Sequence, residues 1–314
     1  MWASSPIGLK EPKDFAPFRV LFVRLRSLGD TVLMTPMLKV MGRMPGWTVG
    51  VLVEKSYEEV LEGNPHVDNI FVIDNHCNKW TARMRAIREI RSFRPTLAID
   101  LHGGTTGAIL TALSGAKKRV GHQKGRLSYL YNVKVPSSTS LWQKNHVHTV
   151  EHQMSLLKYL GFPVEPVPSA EVLVSDSNLD MARGLLKDVG LCSQQLDKGF
   201  ILIHPAAAFD TKQWESKHFA LLATLLGREG LKVVFTAGPG QEALLEKIKR
   251  RCIPEVRFVA PQSVKKFTAL ASLCRLYVGN DTGSTHIAAA LEKPVVVIDA
   301  DNKIVGAVHA SKVI

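Results

Sequence analysis

Short apolar runs alternate with helix-length segments along most of this 314-residue chain, and this alternation constrains its fold more than any other feature. One series opens with the strand-like run 19–25, and a second opens with the run 200–204. Apolar runs of this length predict buried strands of a parallel sheet, and the segments between them predict crossover helices. The sequence therefore predicts an α/β fold with two Rossmann-like halves facing a cleft.

A stretch with three prolines, residues 163–168, separates the two series. Because such stretches interrupt regular structure, we expect a domain over 19–165 and a nucleotide-binding domain over 166–314. Residues 1–18 lack the apolar core of a signal peptide, so they predict a loose extension. The chain contains no run of 18 apolar residues, so no transmembrane helix is expected.

The second series contains a strand, turn and helix pattern that is typical of a phosphate site. The run 276–278 predicts a strand, 279–281 a tight turn and 284–291 a helix, with Asp281 or Thr282 as its cap. A helix that begins at such a turn presents free N–H groups and the positive end of its dipole, which favour a phosphate. A capped turn without a ligand is the alternative interpretation.

The first series has an acidic residue at the corresponding position, between a predicted strand and the helix that follows it. Asp30 falls between the strand 19–25 and a predicted helix over 31–44. In open α/β sheets, ligands bind at the carboxyl ends of the strands, so Asp30 is a candidate for chemistry. Its structural alternative is a helix N-cap.

Basic residues are concentrated in one part of the first half. Residues 76–134 hold 12 lysines and arginines against 2 acidic residues. A predicted helix over 79–93 carries several of them, with Trp80, Met84 and Ile87 on its apolar side. Such a patch attracts nucleic acid, an anionic membrane or a phosphorylated substrate, unless it is only a solvated surface. The cations considered are Arg83, Arg85, Arg88, Arg91, Lys117, Lys118 and Arg119.

Four stretches together resemble one known family. They are 23–30 (VRLRSLGD), 100–103 (DLHG), the segment from Ile203 to Trp214, and 279–286 (GNDTGSTH), and the stretch 235–240 also fits. In order and spacing the chain is similar to the bacterial lipopolysaccharide heptosyltransferases, glycosyltransferase family 9, which have the GT-B fold. The resemblance implies inverting transfer of heptose from ADP-heptose to the inner core of lipopolysaccharide, with no metal or other cofactor.

The resemblance also implies roles for individual residues. Asp30 would be the general base, which typically contributes about 10²–10⁴-fold to such a reaction. Donor binding would fall to Lys212, Thr211, Asp281, Thr282, Gly283 and His286. Acceptor binding would fall to Arg83, Arg85, Arg119 and Gly29. His102 fits a site role and a structural role equally, and His204 is predicted to be a structural histidine.

The implied partners are ADP-heptose and an anionic, lipid A-linked core oligosaccharide, with no nucleic acid. Such an enzyme would act in the cytoplasm, peripherally on the inner face of the bacterial inner membrane. Two alternatives remain open at this stage. One is a GT-B sugar-nucleotide epimerase, and the other is a non-catalytic or degraded member that binds an anionic glycolipid or nucleic acid.

The end of the chain departs from the family pattern after Ile298. Family members continue with a Gly-Pro loop and with helices that return to the first domain, whereas residues 299–314 match none of these. We therefore expect this tail not to cross back to the first domain, and we expect weaker donor binding and turnover than in a longer relative.

Overall fold

The computed structural model describes residues 18–76, 78–192, 194–195, 198–207, 210–299 and 304–308. The expected extension before Phe18 lies outside these residues. Contacts divide the chain into two compact units between Ala170 and Glu171. No helix in the described ranges is long and apolar enough to cross a membrane.

The first unit has a six-stranded sheet in the order β3-β2-β1-β4-β5-β6, with every pairing parallel. The strands are β1 (Phe18–Val23), β2 (Trp47–Glu54), β3 (Asn69–Ile73), β4 (Leu97–Asp100), β5 (Lys118–His122) and β6 (Val133–Val135). The helices are α1 (Leu28–Leu33), α2 (Thr35–Gly42), α3 (Lys79–Phe93), α4 (Thr105–Leu113), α5 (Ser138–Trp142) and α6 (Thr149–Tyr159), with 3-10 turns at Lys55–Val60 and Ser128–Leu130. This is the strand order of a Rossmann sheet.

The second unit repeats this order, β9-β8-β7-β10-β11-β12, with only the last pairing antiparallel among its described strands. The strands are β7 (Ile201–His204), β8 (Val233–Phe235), β9 (Arg257–Phe258), β10 (Leu276–Gly279), β11 (Val295–Ile298) and β12 (Ile304–Val308). The helices are α7 (Asp176–Asp188), α8 (Ser216–Arg228), α9 (Glu242–Lys249), α10 (Val264–Leu273) and α11 (Gly283–Ala290), with a 3-10 turn at Asp210–Lys212. The predicted class, two Rossmann-like α/β domains, is confirmed.

Both faces of the first sheet are buried, as its apolar strands require. Leu21 of β1 packs in one core cluster with Ala86 of α3 and Leu110 of α4. Val20 and Phe22 alternate with Leu21 along the strand, point to the opposite face, and are also fully buried. Polar chemistry is therefore restricted to the strand ends and the loops that follow them.

Several local predictions were wrong. The helix expected over 31–44 begins earlier, at Leu28, and is interrupted at Met34. Helix α5 was not predicted, and it starts where the Ser137 side chain accepts a hydrogen bond from the Ser140 N–H. Strands β6 and β12 were not predicted. Strand β6 has only three residues, too few to show a period, and β12 lies in the tail that matches no stretch of the family pattern.

The orientation of α3 also differs from expectation, although its ends agree. The helix buries Ala82, Ala86, Ile87 and Ile90, so the prediction for Ile87 is confirmed. Trp80 and Met84, which were expected on the apolar side, are 75% and 54% exposed. The small alanines let the helix lie close to the strands, and together with Ile87 and Ile90 they define its buried face.

The described part of the tail stays with the second unit. Strand β12 pairs antiparallel with β11, from Val295 opposite Val308 to Ile298 opposite Ile304. This pairing closes the side of β11 that β10 leaves open. Residues 300–303 and 309–314 of the tail lie outside the described residues, so the expectation that the tail does not return to the first domain stays a prediction.

Lowering the pH to 5 should destabilise the second unit through His204. Burial lowers the pKa of His204 to about 4, against about 6.5 in an unfolded chain. Because the unfolded chain then binds the extra proton, stability is lost as the pH falls from about 6.5 toward 4. We expect about 2 kcal/mol less stability at pH 5, measured by hydrogen exchange of the β7 amides.

The variant His204→Gln should lose this part of the pH dependence, since glutamine does not titrate. His146→Gln, at an exposed position in the first unit, is the matched control and should retain it. An equal change in β7 exchange between pH 7.5 and pH 5 in His204→Gln and the parent would contradict the assignment.

Candidate functional sites at the carboxyl ends of the central strands

Asp30 lies in the first turn of α1, just beyond the carboxyl end of β1. Ser27 is the residue before the helix, and Asp30 is the third residue within it. The Asp30 Oδ2 atom accepts hydrogen bonds from the Ser27 N–H at 3.3 Å and the Ser27 hydroxyl at 3.0 Å. Asp30 is thus the third-position partner of a capping box and not the N-cap that the sequence suggested as its structural alternative. The Ser-x-x-Asp spacing of Ser27 and Asp30 could have indicated this arrangement.

Arg24 fixes the same carboxylate. Its Nη2 atom forms an ion pair with Asp30 Oδ2, and its Nη1 atom donates to the carbonyl oxygen of Leu101. The Arg24 side chain is only 11% exposed, and burial lowers its pKa while the Asp30 charge opposes that shift. Arg24, which follows β1, therefore connects Asp30 in α1 with the end of β4 at Leu101. It belongs to the motif noted in the sequence, but the sequence did not indicate this role.

A second carboxylate, that of Asp100, is buried at the carboxyl end of β4. It is 1% exposed and accepts hydrogen bonds from the Tyr131 hydroxyl at 2.6 Å and from the N–H groups of His102 and Gly103 at 2.8 and 3.2 Å. Burial raises the pKa of Asp100, and these hydrogen bonds oppose the rise. A Cβ at Gly107 would lie 2.6 Å from Asp100 Oδ1, so the helix approach requires glycine there.

Three histidines lie in the same region of the first unit. His102 follows β4, and burial and the nearby Arg24 charge lower its pKa, which keeps its ring neutral at pH 7. His122 and His152 stack at a ring-centroid distance of 4.2 Å, and His152 Nδ1 is 2.8 Å from the Ser138 hydroxyl. Burial lowers the pKa of His122 to about 4. The pKa values of all three rings are lowered, which favours neutral, polar side chains over cationic ones.

The residues expected to bind the acceptor have different environments. Arg83 is half-buried and Arg85 exposed in the first half of α3, which starts at the carboxyl edge of the sheet because it follows β3. Arg119 donates from Nε to the Leu130 carbonyl at 3.0 Å and from Nη1 to the Ala116 carbonyl at 3.3 Å, so it supports its own loop. Gly29 is buried beside Asp30 in α1. Their acceptor role remains a prediction.

In the second unit, the corresponding place is the turn between β10 and α11. Thr282 is the N-cap of α11, as one of the two options predicted, and no side-chain hydrogen bond caps the helix. Beneath it lies a buried hydroxyl cluster, in which Tyr277 donates to Ser284 at 2.8 Å and Thr285 donates to the carbonyl of Asn280 at 2.6 Å. Burial raises the pKa of Tyr277 to about 12. The start of the helix is therefore rigidly supported from below, while its first N–H groups have no side-chain cap.

Two of the predicted donor residues are in contact. Lys212 Nζ donates to Asp281 Oδ2 at 2.8 Å, and both side chains are 51% exposed. Thr211 is exposed in the same 3-10 turn, and His286 lies in the first turn of α11, where its N–H donates to the Thr282 carbonyl at 3.4 Å. The structure thus gathers a lysine, a carboxylate and a helix N-terminus that includes Gly283. This combination can bind a phosphate and a neighbouring hydroxyl.

Asn280 holds this arrangement together, although the sequence did not single it out. Its side chain is fully buried, accepts a hydrogen bond from the Trp214 N–H at 2.9 Å and donates to the Pro205 carbonyl at 2.8 Å. These contacts fix both ends of the loop that carries Lys212. In the described part of the chain, no group of three or more His, Cys, Asp or Glu side chains is arranged to hold a metal ion.

Comparisons with known proteins give a consistent result. The family described as Glycosyltransferase family 9 (heptosyltransferase) matches residues 83–304. Lipopolysaccharide heptosyltransferase 3 of Escherichia coli K12 is 24% identical, over 87% of this chain and 79% of its own. Lipopolysaccharide heptosyltransferase 1 of Campylobacter coli is 23% identical, over 89% and 83%.

Solved structures show the same fold. A glycosyl transferase of family 9 from Veillonella parvula superposes with a TM-score of 0.79 at 21% identity, covering 90% of this chain and 80% of that one. Escherichia coli heptosyltransferase WaaC, solved with ADP, superposes with a TM-score of 0.70 at 22% identity, covering 90% and 87%.

Replacing Asn280 by alanine should release the loop that carries Lys212. The change leaves the Pro205 carbonyl and the Trp214 N–H without their partner, at a cost of about 2–4 kcal/mol. We expect the Trp214 amide, followed by hydrogen exchange, to lose protection beyond the general loss of stability. Asn178→Ala, which removes another buried asparagine of this unit, is the control. Unchanged protection of Trp214 in Asn280→Ala would show that the loop is held by other contacts.

Proposed function

Because the chain belongs to glycosyltransferase family 9, the heptosyltransferases, we propose that it transfers heptose from ADP-heptose to the inner core of lipopolysaccharide with inversion. As a glycosyltransferase it is not a sugar-nucleotide epimerase, which removes that alternative. The observation that carries the proposal is the Asp30 carboxylate, held by Arg24 at the carboxyl end of β1. We place the acceptor on the first unit and the donor on the second.

Asp30 is suited to take a proton from an acceptor hydroxyl. The contacts from Arg24 and Ser27 all reach Oδ2, which leaves Oδ1 as the oxygen available to a hydroxyl group. The side chain is 30% exposed, so a substrate can reach it. As the hydroxyl attacks the anomeric carbon from the side opposite ADP, Asp30 accepts the proton and the configuration inverts.

The charge that develops on the leaving ADP needs cationic or N–H partners. Lys212 and the first N–H groups of α11 supply both types at the carboxyl end of the second sheet. Asp281 pairs with Lys212 in the free protein, and in the proposal it turns to a heptose hydroxyl when the phosphates take its place. In this scheme Lys212 and the N–H groups of α11 neutralise the phosphate charge that a metal ion neutralises in other transferases. His286, Thr211, Thr282 and Gly283 line the same donor site.

Two structures of one relative support this choice of donor. The Escherichia coli enzyme WaaC was solved with ADP and also with ADP-2-deoxy-2-fluoro heptose. For the acceptor, the basic residues Arg83 and Arg85 lie towards the sheet edge that carries Asp30. An acceptor with phosphates and carboxylates, attached to lipid A, complements that charge and would bring the enzyme to the cytoplasmic face of the inner membrane.

Replacing Asp30 by asparagine should lower transfer by about 10²–10⁴-fold, because the amide cannot accept the proton. Donor affinity should change by no more than a few-fold, since Asp30 belongs to the other unit. ADP release with a panel of core acceptors measures the first, and calorimetry with ADP-heptose the second. Asp180→Asn, on an exposed face of α7, is the control. Near-normal turnover in Asp30→Asn would remove this residue from the base role.

Replacing Lys212 by alanine should weaken ADP binding by about 10- to 150-fold, the equivalent of one lost charge-assisted contact of about 1.5–3 kcal/mol. Lys217→Ala is the matched control, because Lys217 is similarly exposed and pairs with Glu215 at 2.7 Å. Calorimetric titration with ADP gives the affinity of each variant. If Lys212→Ala and Lys217→Ala bind ADP equally well, the donor phosphates bind elsewhere.

A further inference from the structure

Trp80 and Met84 form an exposed apolar pair on α3. The Trp80 side chain is 75% exposed and that of Met84 is 54% exposed. They are four residues apart, so they lie side by side on one face of the helix. The core contacts of the helix come instead from Ala82, Ala86, Ile87 and Ile90. The exposed pair therefore contributes little to the packing of α3 on its sheet and is available at the surface.

The surroundings of this pair are strongly basic. Lys79, Arg85 and Arg88 are exposed on the same helix. Between Lys79 and Phe93 the sequence has five cations and one carboxylate, Glu89. A tryptophan beside several cations is typical of surfaces that bind anionic bilayers, where the ring lies at the headgroup level and the cations meet lipid phosphates. Two copies of this face would repel each other, which argues against a contact between identical chains.

A neighbouring helix extends the same surface. Ile109 and Leu113 on α4 are 45% and 39% exposed and are again four residues apart. Helices α3 and α4 cover the same face of the sheet, because Ala86 and Leu110 share one core cluster. They touch where the Arg91 Nε donates to the Leu113 carbonyl at 2.9 Å. Apolar residues are thus exposed on both helices of this layer.

The position of the pair suits a membrane-bound acceptor. Helix α3 begins after β3, at the carboxyl edge of the parallel sheet, and Asp30 lies at that edge after β1. Trp80 and Met84 are in the first half of α3, so they lie towards the edge that carries Asp30.

We propose that the exposed face of α3, formed by Trp80 and Met84 with Lys79, Arg85 and Arg88, docks on an anionic lipid bilayer. The two apolar side chains enter the interfacial region, and the cations bind the surrounding phosphates. The lipid binding proposed here does not depend on the proposed function. The proposed function supplies only the purpose of that binding, which is the capture of a lipid-linked acceptor.

The test is sedimentation of the full chain with phosphatidylcholine vesicles, with and without 30% phosphatidylglycerol and always without glycolipid. The double variant Trp80→Ser, Met84→Ser should bind anionic vesicles at least about tenfold more weakly than the parent. Arg85→Gln with Arg88→Gln should weaken binding by about 30-fold on anionic vesicles alone. The matched control is Leu221→Ser with Leu225→Ser, an exposed pair of equal spacing on α8 of the other unit.

Three results would overturn the proposal. They are absence of parent binding, equal loss in the Trp80/Met84 and Leu221/Leu225 variants, and equal binding to neutral and anionic vesicles. The parent could instead self-associate without binding vesicles, and light scattering could show that Trp80→Ser with Met84→Ser abolishes this self-association. That result would identify a protein contact and would also overturn the proposal.

A transfer assay with a delipidated, soluble acceptor separates the two proposals. In that assay the Trp80/Met84 variant should transfer heptose as well as the parent. If the parent binds vesicles but transfers no heptose, only the proposed function is contradicted.

Discussion

Parallel pairing of strands that are buried on both faces is the constraint on which both candidate sites depend. Such strands offer no surface for polar chemistry, so reactive side chains collect where the strands end. Both sheets have the same order, and in both the direction of strand addition reverses between the first and fourth strands. Asp30 and Asp100 lie at this reversal in the first unit, and Lys212 and Asn280 lie at it in the second. One topological rule thus accounts for the positions of the proposed base in one unit and of the proposed anion site in the other.

The two ion pairs at these positions differ in a way that fits different tasks. The Arg24 side chain is 11% exposed and has a second hydrogen bond to Leu101, so its pairing with Asp30 is fixed. Lys212 and Asp281 are each 51% exposed, and such pairs contribute about 0–1 kcal/mol. A ligand can therefore separate Lys212 from Asp281 at little cost, whereas the orientation of Asp30 persists whether or not a substrate is present.

The sequence predicted the parts of the structure that depend on local periodicity. The bounds of α3 agree with expectation, and so does the position of Asp30 at a strand end. It could not predict contacts between segments far apart in the chain, such as those of Asn280 with Pro205 and Trp214. It also misplaced Trp80, because helical spacing alone does not distinguish apolar residues that pack on the sheet from apolar residues that stay exposed.

Strand β12 has a consequence for handling the protein. Residues 295–298 are three valines and an isoleucine, a sequence with high β-propensity and no charge. One side of β11 pairs with β10, and the other is covered by Ile304–Val308. Removing those few residues would leave an uncovered, uncharged edge strand, which is the type of surface through which sheets of separate molecules join. Strand β12, with the sequence IVGAV, is itself uncharged and is the outermost described strand of this sheet. Its removal would therefore move an apolar edge from β12 to β11, and solubility is the first property to compare between the chain and shortened versions of it.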